Sequence, residues 1–499
     1  MNAERQSDNS KHPLWMRAAA VTLPIVVVAC ATWPHLPRGI CYEDSGDFQV
    51  AAMTLGIPHP PGYAGYVSIG YLLTRLLPLN AAYTINLACL ACGLAIVGLG
   101  VHLMMRLGAH PIYAAIAGVV LACHGEVWPQ LLVPEVYLPS LLLLVGAILV
   151  CREGCPERWR LVLGAVLLGM LVANRPPALL FVPVFVGACW FGRRTKQWAA
   201  DWGLALVAFV LPIAYSAGYF YVRDVPWTGY NYIEGAARSE PGTLPALGDG
   251  AGACCERVWW LMSALAYRDR VTFAPGEMWG NWVQAGRRLC EPSFAVLLFF
   301  LVIGFVGFRA VLREHRRAGW LLAGCGVTAL AYAGCYRDPG YPADLLPFVL
   351  ALIVFAGVAI TRWLGPLRGR YWKVGAVLLL GFSCYCVFDY ARERSSLAYD
   401  VDATRYVERI WAAKLPDGAV ILSSWRTYPP LWYATRVIVD RRDVEIVNGD
   451  PEDWITMAMP YAAGELPRAV YFSYEPPRPG DERFLEEYGL YWLITDKSR

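Results

Sequence analysis

Apolar runs long enough to cross a bilayer recur along most of this 499-residue chain. A membrane-spanning helix needs roughly 17–25 predominantly apolar residues. Runs that approach or meet that length lie near 18–33, 80–105, 111–128, 137–151, 160–174, 177–192, 202–221, 293–312, 319–335, 345–363 and 374–388. They predict a polytopic α-helical membrane protein with about eleven transmembrane helices. Hydrophobic residues make up 57% of the chain and charged ones 17%, more apolar surface than a soluble fold of this size could hide. A net charge of +3 is too small to point to a nucleic-acid partner.

Arg5, Lys11 and Arg17 precede the first run, and Ala29-Cys30-Ala31 imitates a signal-peptidase site. The many later runs favour an uncleaved first helix. Basic residues then cluster in alternate loops: Arg152, Arg158 and Arg160; Arg193, Arg194 and Lys196; Arg313, Arg316 and Arg317; Arg362, Arg368, Arg370 and Lys373. The positive-inside rule makes those loops cytoplasmic. The N-terminus is then inside, while the 41–66 loop and the last hundred-odd residues are outside, as in the cytoplasmic (inner) membrane of a bacterium.

Three regions follow. Residues 1–388 form the membrane region, interrupted at 222–292 by a long external segment. That segment holds Trp227, Tyr230, Tyr232, Trp259, Trp260, Trp279 and Trp282, rings that favour the membrane–water interface. Residues 389–499 have the composition of a soluble protein. There "DATRYVERIWAAKL" has helical spacing, Pro416-Asp417-Gly418 reads as a turn, and "AVILSS", "DVEIVN", "AVYFSY" and "LYWLIT" read as strands. The alternation predicts a small C-terminal extracytoplasmic α/β domain. The 15 cysteines lie mostly in apolar runs, where a thiol behaves as a small hydrophobe. Cys151 and Cys155 have a metal-like spacing without a nearby histidine, so packing is the favoured reading, and the adjacent Cys254-Cys255 cannot readily bridge each other.

One stretch resists this apolar scheme. "CYEDSGDFQVAAMTLGIPHPPGYAGY" (41–66) holds Glu43, Asp44 and Asp47, followed by a proline-glycine turn that contains His59. A buried, unpaired carboxylate at the membrane face costs several kcal/mol. If the segment is helical, Asp44 and Asp47 share one face. His124, Glu126 and Glu135 fall at the same external level, as do Asn174 and Arg175. Glu126 reads as a helix-end residue, whereas Glu135 and Arg175 join the acidic stretch as a candidate site. The arginine fork suits two-point contact with phosphate.

The pattern "EDSGDF", "LGIPHPPGY", Asn86, Trp128, "PEVYLPS" and "ANRPPA" resembles the GT-C-type glycosyltransferases related to the animal enzyme that O-mannosylates IPT domains. The resemblance covers about residues 15–190 and is weaker in "YRDPGYPADLLP" (336–347). It implies a polyprenyl-phosphate-linked sugar as donor, used at the external membrane face among membrane lipid, with a protein, glycan or lipid acceptor. By motif position Asp44 is the implied catalytic base and Asp47 the second acid. His59 and Tyr63 would shape the site, Glu135 would contact the acceptor, and Arg175 the donor phosphate. A divalent cation is a further implied option, because some GT-C enzymes use one. The chain departs from the family at Asn174-Arg175-Pro176, where the animal enzyme has Asn-Gln-His, and at Ser423-Ser424-Trp425-Arg426, where relatives carry an Asp. The second departure favours binding or scaffolding over catalysis for the C-terminal domain. A transporter or flippase of lipid-linked saccharides is the alternative reading, since intramembrane acids also mark transport routes, although no internal repeat supports it.

Overall fold

The computed structural model describes residues 12–151, 158–190, 198–225, 229–239, 244–247, 249–289, 294–337, 342–364, 370–393, 402–412, 415–449, 457, 469–473 and 491–492. Each predicted apolar run coincides with helical structure, including Leu14–Thr32, Ala81–Arg106, Trp198–Arg223, Arg316–Cys335 and Leu346–Leu364. Among the described residues five helices are both long and apolar enough to cross a membrane. The run near 177–192 is a 3₁₀ segment, Pro176–Phe181, continued by the helix Val182–Trp190. Paired prolines at its start lack the N–H groups that would extend the preceding helix.

Many of the helix pairs skip a neighbour in sequence. Arg158–Asn174 packs along Trp198–Arg223 and Tyr137–Cys151, and Phe294–Glu314 along Leu346–Leu364. One core runs through these helices, with Trp128, Leu131, Val145, Leu321 and Val354 almost wholly buried. Leu206, Leu211, Phe305 and Leu378 instead face outward, more than 60% exposed, as an apolar helix requires when its solvent is lipid. The described cysteines are all free thiols; Cys155 lies outside the described residues.

The 41–66 stretch differs from the loop expected of it. Glu43–Thr54 is a helix with Glu43 and Asp44 in its first turn, where negative charge complements the unpaired N–H groups of the helix start. Ala64–Leu76 follows as a second helix, and the two are joined by the His-Pro-Pro-Gly-Tyr turn, with a cis Pro60–Pro61 bond.

Among the described residues of 222–292 there are three short helices, Tyr232–Ser239, Ala251–Met262 and Pro275–Leu289, with a 3₁₀ turn at Leu265–Arg270. Its aromatic residues divide. Trp259 and Trp279 are about two-thirds exposed, whereas Tyr230 is 1% exposed. Tyr230 therefore belongs to a packed core and corrects the expectation of an interfacial ring; Trp227 lies outside the described residues. The segment is pinned by Arg257, which is fully buried and binds Asp224 at 2.7 and 2.9 Å and Glu234 at 3.1 Å.

In the C-terminal region the strands β1 (Val420–Ser423), β2 (Glu445–Asn448), β3 (Val470–Phe472) and β4 (Tyr491–Trp492) form one parallel sheet in the order β2-β1-β3-β4. The helix Thr404–Ala412 precedes the sheet, and Tyr428–Trp432 follows β1. Between β2 and β3, most of the expected helical stretch lies outside the described residues. The sheet region is seated on the acidic helix: Ile40, Val50, Ala51 and Met53 share one apolar cluster with Leu431, Trp432 and Ala434.

Candidate active site

Local chemistry brings the acidic helix to its place. Gln49 is fully buried; its side-chain oxygen accepts the Cys41 N–H at 2.7 Å, and its amide donates to Asn86 Oδ1 at 2.7 Å. Asn86 in turn donates to the Pro37 carbonyl at 2.8 Å. Buried amides of this kind must be satisfied, so the network fixes the helix against Ala81–Arg106. Gly46 permits the close fit: a Cβ there would lie 2.2 Å from the Cys41 carbonyl oxygen and 3.0 Å from Pro429 Cβ.

The turn behind the helix is equally constrained. Gly62 and Tyr63 both adopt positive φ, at 92° and 51°. For tyrosine this conformation is strained and persists only where the surroundings impose it. A Cβ on Gly62 would strike Phe220 at 2.4 Å. The reversal turns the Tyr63 ring back against His59, with ring centroids 5.3 Å apart, and Phe48 packs edge-on to Tyr63.

The imidazole of His59 bridges the two aspartates. Its Nδ1 donates to Asp47 Oδ2 at 2.7 Å, and its Nε2 lies 3.8 Å from Asp44 Oδ2. Burial alone would lower the His59 pKa, but Asp44 and the Asp47 hydrogen bond outweigh it and raise it to about 9. The ring is therefore an imidazolium at neutral pH. Glu135 completes the group. It accepts from Ser45 Oγ at 3.1 Å, and burial, followed by the charge of Asp44, pushes its carboxyl above the usual range.

The two aspartates are not equivalent. Asp47 is 0% exposed; Oδ2 accepts the His59 backbone N–H at 3.1 Å as well as the ring N–H, and Oδ1 accepts the Tyr230 hydroxyl at 2.5 Å. The Asp44 side chain keeps 26% of its surface. Its Oδ1 accepts the indole N–H of Trp425 at 2.6 Å, while Oδ2 points past the edge of His59. Glu43 is half exposed and only loosely paired, 3.7 Å from Arg426.

A divalent cation between Asp44 and Asp47 does not fit these residues. Both Asp47 oxygens are already used by N–H and O–H donors, and the His59 ring stands between the carboxylates. Hard cations take six or more oxygen ligands, far from what remains here.

Arg175 lies at the end of the helix Arg158–Asn174, over the face of Tyr137 at 4.6 Å. It forms an ion pair with Asp344, and both line a cleft with Tyr137, Ser140 and Tyr332. Asp344, Tyr230 and Trp425 are the site neighbours that sequence reasoning missed. Asp344 falls within the weakly matching 336–347 stretch, Trp425 within the departure at 423–426, and Tyr230 among the aromatics of 222–292; none of these signals points to an aspartate partner.

Residues 44–199 match the protein O-mannosyl-transferase TMEM260 N-terminal domain family. The match begins at Asp44 and spans the helices that build the site. A curated relative, protein O-mannosyl-transferase TMEM260 of Mus musculus, is 28% identical over 202 residues, which cover 39% of this chain and 28% of the relative. The chain thus matches well under half of that relative's length. Two solved structures share the fold. The archaeal oligosaccharyltransferase AglB from Archaeoglobus fulgidus, in complex with an inhibitory peptide and a dolichol-phosphate, has a TM-score of 0.52 at 11% identity, covering 87% of this chain and 64% of that one. ArnT from Cupriavidus metallidurans in the apo state has a TM-score of 0.53 at 12% identity, covering 89% and 90%. The chain is an integral membrane protein with a helical GT-C fold.

Proposed function

We propose that this protein is a membrane glycosyltransferase that moves a sugar from a polyprenyl-phosphate donor to an acceptor hydroxyl at the external membrane face. Its acceptor class would be protein, by analogy with the O-mannosyl-transferase relative. The reading rests on one observation: packing saturates both oxygens of Asp47, which is 0% exposed, whereas the Asp44 side chain keeps 26% of its surface. A general base must reach the acceptor proton directly, at hydrogen-bonding distance. Asp44 Oδ2, 3.8 Å from His59 Nε2, is the candidate for that role, whereas Asp47 would orient His59. The acceptor hydroxyl gives its proton to Asp44 as its oxygen bonds to the anomeric carbon. The bond from that carbon to the phosphate oxygen breaks, and the leaving phosphate keeps the electron pair. Arg175 is the residue whose remaining N–H donors suit that charge. The His59 imidazolium lowers the cost of gathering carboxylates around a reacting centre.

The proposed placement keeps the first-loop acids and the C-terminal region outside, with about eleven spans, because the basic loops alternate with base-poor ones. The test is transfer from radiolabelled polyprenyl-phosphate mannose and related donors by the purified full chain. Transfer by the parent and its loss in Asp44→Asn support the reading. No transfer from any such donor, or full activity of Asp44→Asn, overturns it.

A further inference from the structure

Trp425 lies where the sequence departs from its relatives, in Ser423-Ser424-Trp425-Arg426, and the fold carries it to Asp44 across 381 residues of chain. We infer that Trp425 is a positioning residue for Asp44: its indole N–H fixes one carboxylate oxygen and so aims the other at the acceptor hydroxyl. The inference rests on the reading of Asp44 as base.

Three independent features support it. The first is the hydrogen bond itself, 2.6 Å from Nε1 to Oδ1. An indole N–H can only donate, and a donor to a charged acceptor makes a strong bond.

The second is the docking of the surrounding turn. The Glu43 N–H donates to the Arg426 carbonyl at 3.2 Å, and the Arg426 guanidinium lies over the Tyr42 ring at 4.9 Å. Glu43 has a φ of 55°, a left-handed conformation that a non-glycine residue adopts at a cost. That strained residue opens the acidic helix, and its N–H is held by the residue after Trp425. Trp425 also meets His59 and Tyr232 edge to face, at 5.9 and 5.5 Å, and stacks with Tyr428. The indole is thus held on several sides, which limits its swing away from Asp44.

The third is topology. The chain passes from β1 to β2 on one side and returns to β3 on the other. In open parallel sheets, ligand sites lie beyond the carboxyl ends of the strands where the order reverses. Trp425 follows the carboxyl end of β1 directly. Its turn is braced by Thr427 and Tyr428 N–H groups on the Ser424 carbonyl, at 3.0 and 2.9 Å, and by Thr427 Oγ1 with Ser473 Oγ at 2.9 Å. The sheet therefore presents a rigid turn to the site, and the C-terminal region becomes part of the catalytic apparatus without supplying an acid.

The experiment measures transfer kinetics and thermal stability of the full chain with two replacements at 425. Trp425→Phe keeps a ring but loses the N–H. Replacement by benzothienylalanine keeps nearly the whole indole shape and loses only the donor, so it reports even if the phenylalanine variant folds poorly. We expect kcat to fall roughly ten- to hundred-fold in the benzothienylalanine protein, with donor KM and melting temperature unchanged. A merely structural indole would give parental kcat in that protein, and that result overturns the inference. Asp44→Asn, assayed in parallel, separates the two readings. An active Asp44→Asn sinks the assignment of the base itself; an inactive Asp44→Asn beside a fully active benzothienylalanine protein sinks only the role of Trp425.

Discussion

His59 donates to one oxygen of Asp47 twice, from its backbone N–H at 3.1 Å and from its ring N–H at 2.7 Å. The double contact locks the imidazole plane, so the opposite ring nitrogen must face Asp44. Asp47 is wholly enclosed, while Asp44 keeps about a quarter of its side-chain surface.

Replacement of the two aspartates should therefore separate activity from stability. Asp44→Asn is expected to lower kcat by a factor of about 10²–10⁴ and, because the Asp44 charge helps to hold the His59 cation, to lower the melting temperature, though less than Asp47→Asn, since Asp44 is partly exposed and lies 3.8 Å from the ring. Asp47→Asn removes the partner of a buried cation and should destabilise the fold by about 3 kcal/mol. Transfer assays and thermal melts on both variants check this; equal melting temperatures would contradict it.

His59 should make stability fall at alkaline pH. Its folded pKa is about 9, above the 6.5 of an ordinary histidine. The contribution is fully present below 6.5 and is lost as pH rises through 9. From the linkage relation it is worth about 3 kcal/mol at most. Melting temperature measured from pH 6 to 10 should drop in the parent across that window and stay flatter in His59→Gln.

Glu135→Gln tests the companion group. A carboxyl whose folded pKa is raised keeps its proton in the native state after the unfolded chain has released it, so stability declines as pH rises above the usual carboxylate range. Glutamine copies the protonated form and keeps an acceptor for Ser45. The variant should melt at or above the parental temperature at pH 8, and a lower value there would count against a protonated Glu135.

Arg175→Lys should affect the donor rather than the base. Lysine keeps the charge but lacks the planar fork that can hold Asp344 and a phosphate together. The expected result is a rise of about tenfold in KM for the lipid-phosphate donor, with kcat changed less. A change confined to kcat would place Arg175 elsewhere in the reaction.

Gly46→Ala probes the seat of the C-terminal region. The added methyl would meet a carbonyl oxygen at 2.2 Å, and that oxygen belongs to the backbone of Cys41. A loss of about 1–3 kcal/mol is expected from overpacking, read as a lowered melting temperature.

The sequence by itself determined the long apolar helices and the strands, but not the helix Glu43–Thr54, and it marked candidate residues for the site. Apolar periodicity is a local property, so the helical runs and "AVILSS", "DVEIVN", "AVYFSY" and "LYWLIT" could be read without a partner. The acids near His59 were legible because charge is rare in such a chain and because their motif resembles a known family. What the sequence left open was which aspartate is available. That depends on Tyr230 and Trp425, residues 183 and 381 positions away along the chain from the aspartates they touch. Each is an ordinary aromatic in its own neighbourhood, and only packing brings its donor to a carboxylate. Burial and hydrogen bonding, which distinguish Asp47 from Asp44, are sums over neighbours from distant segments, and so only the tertiary structure decided between them.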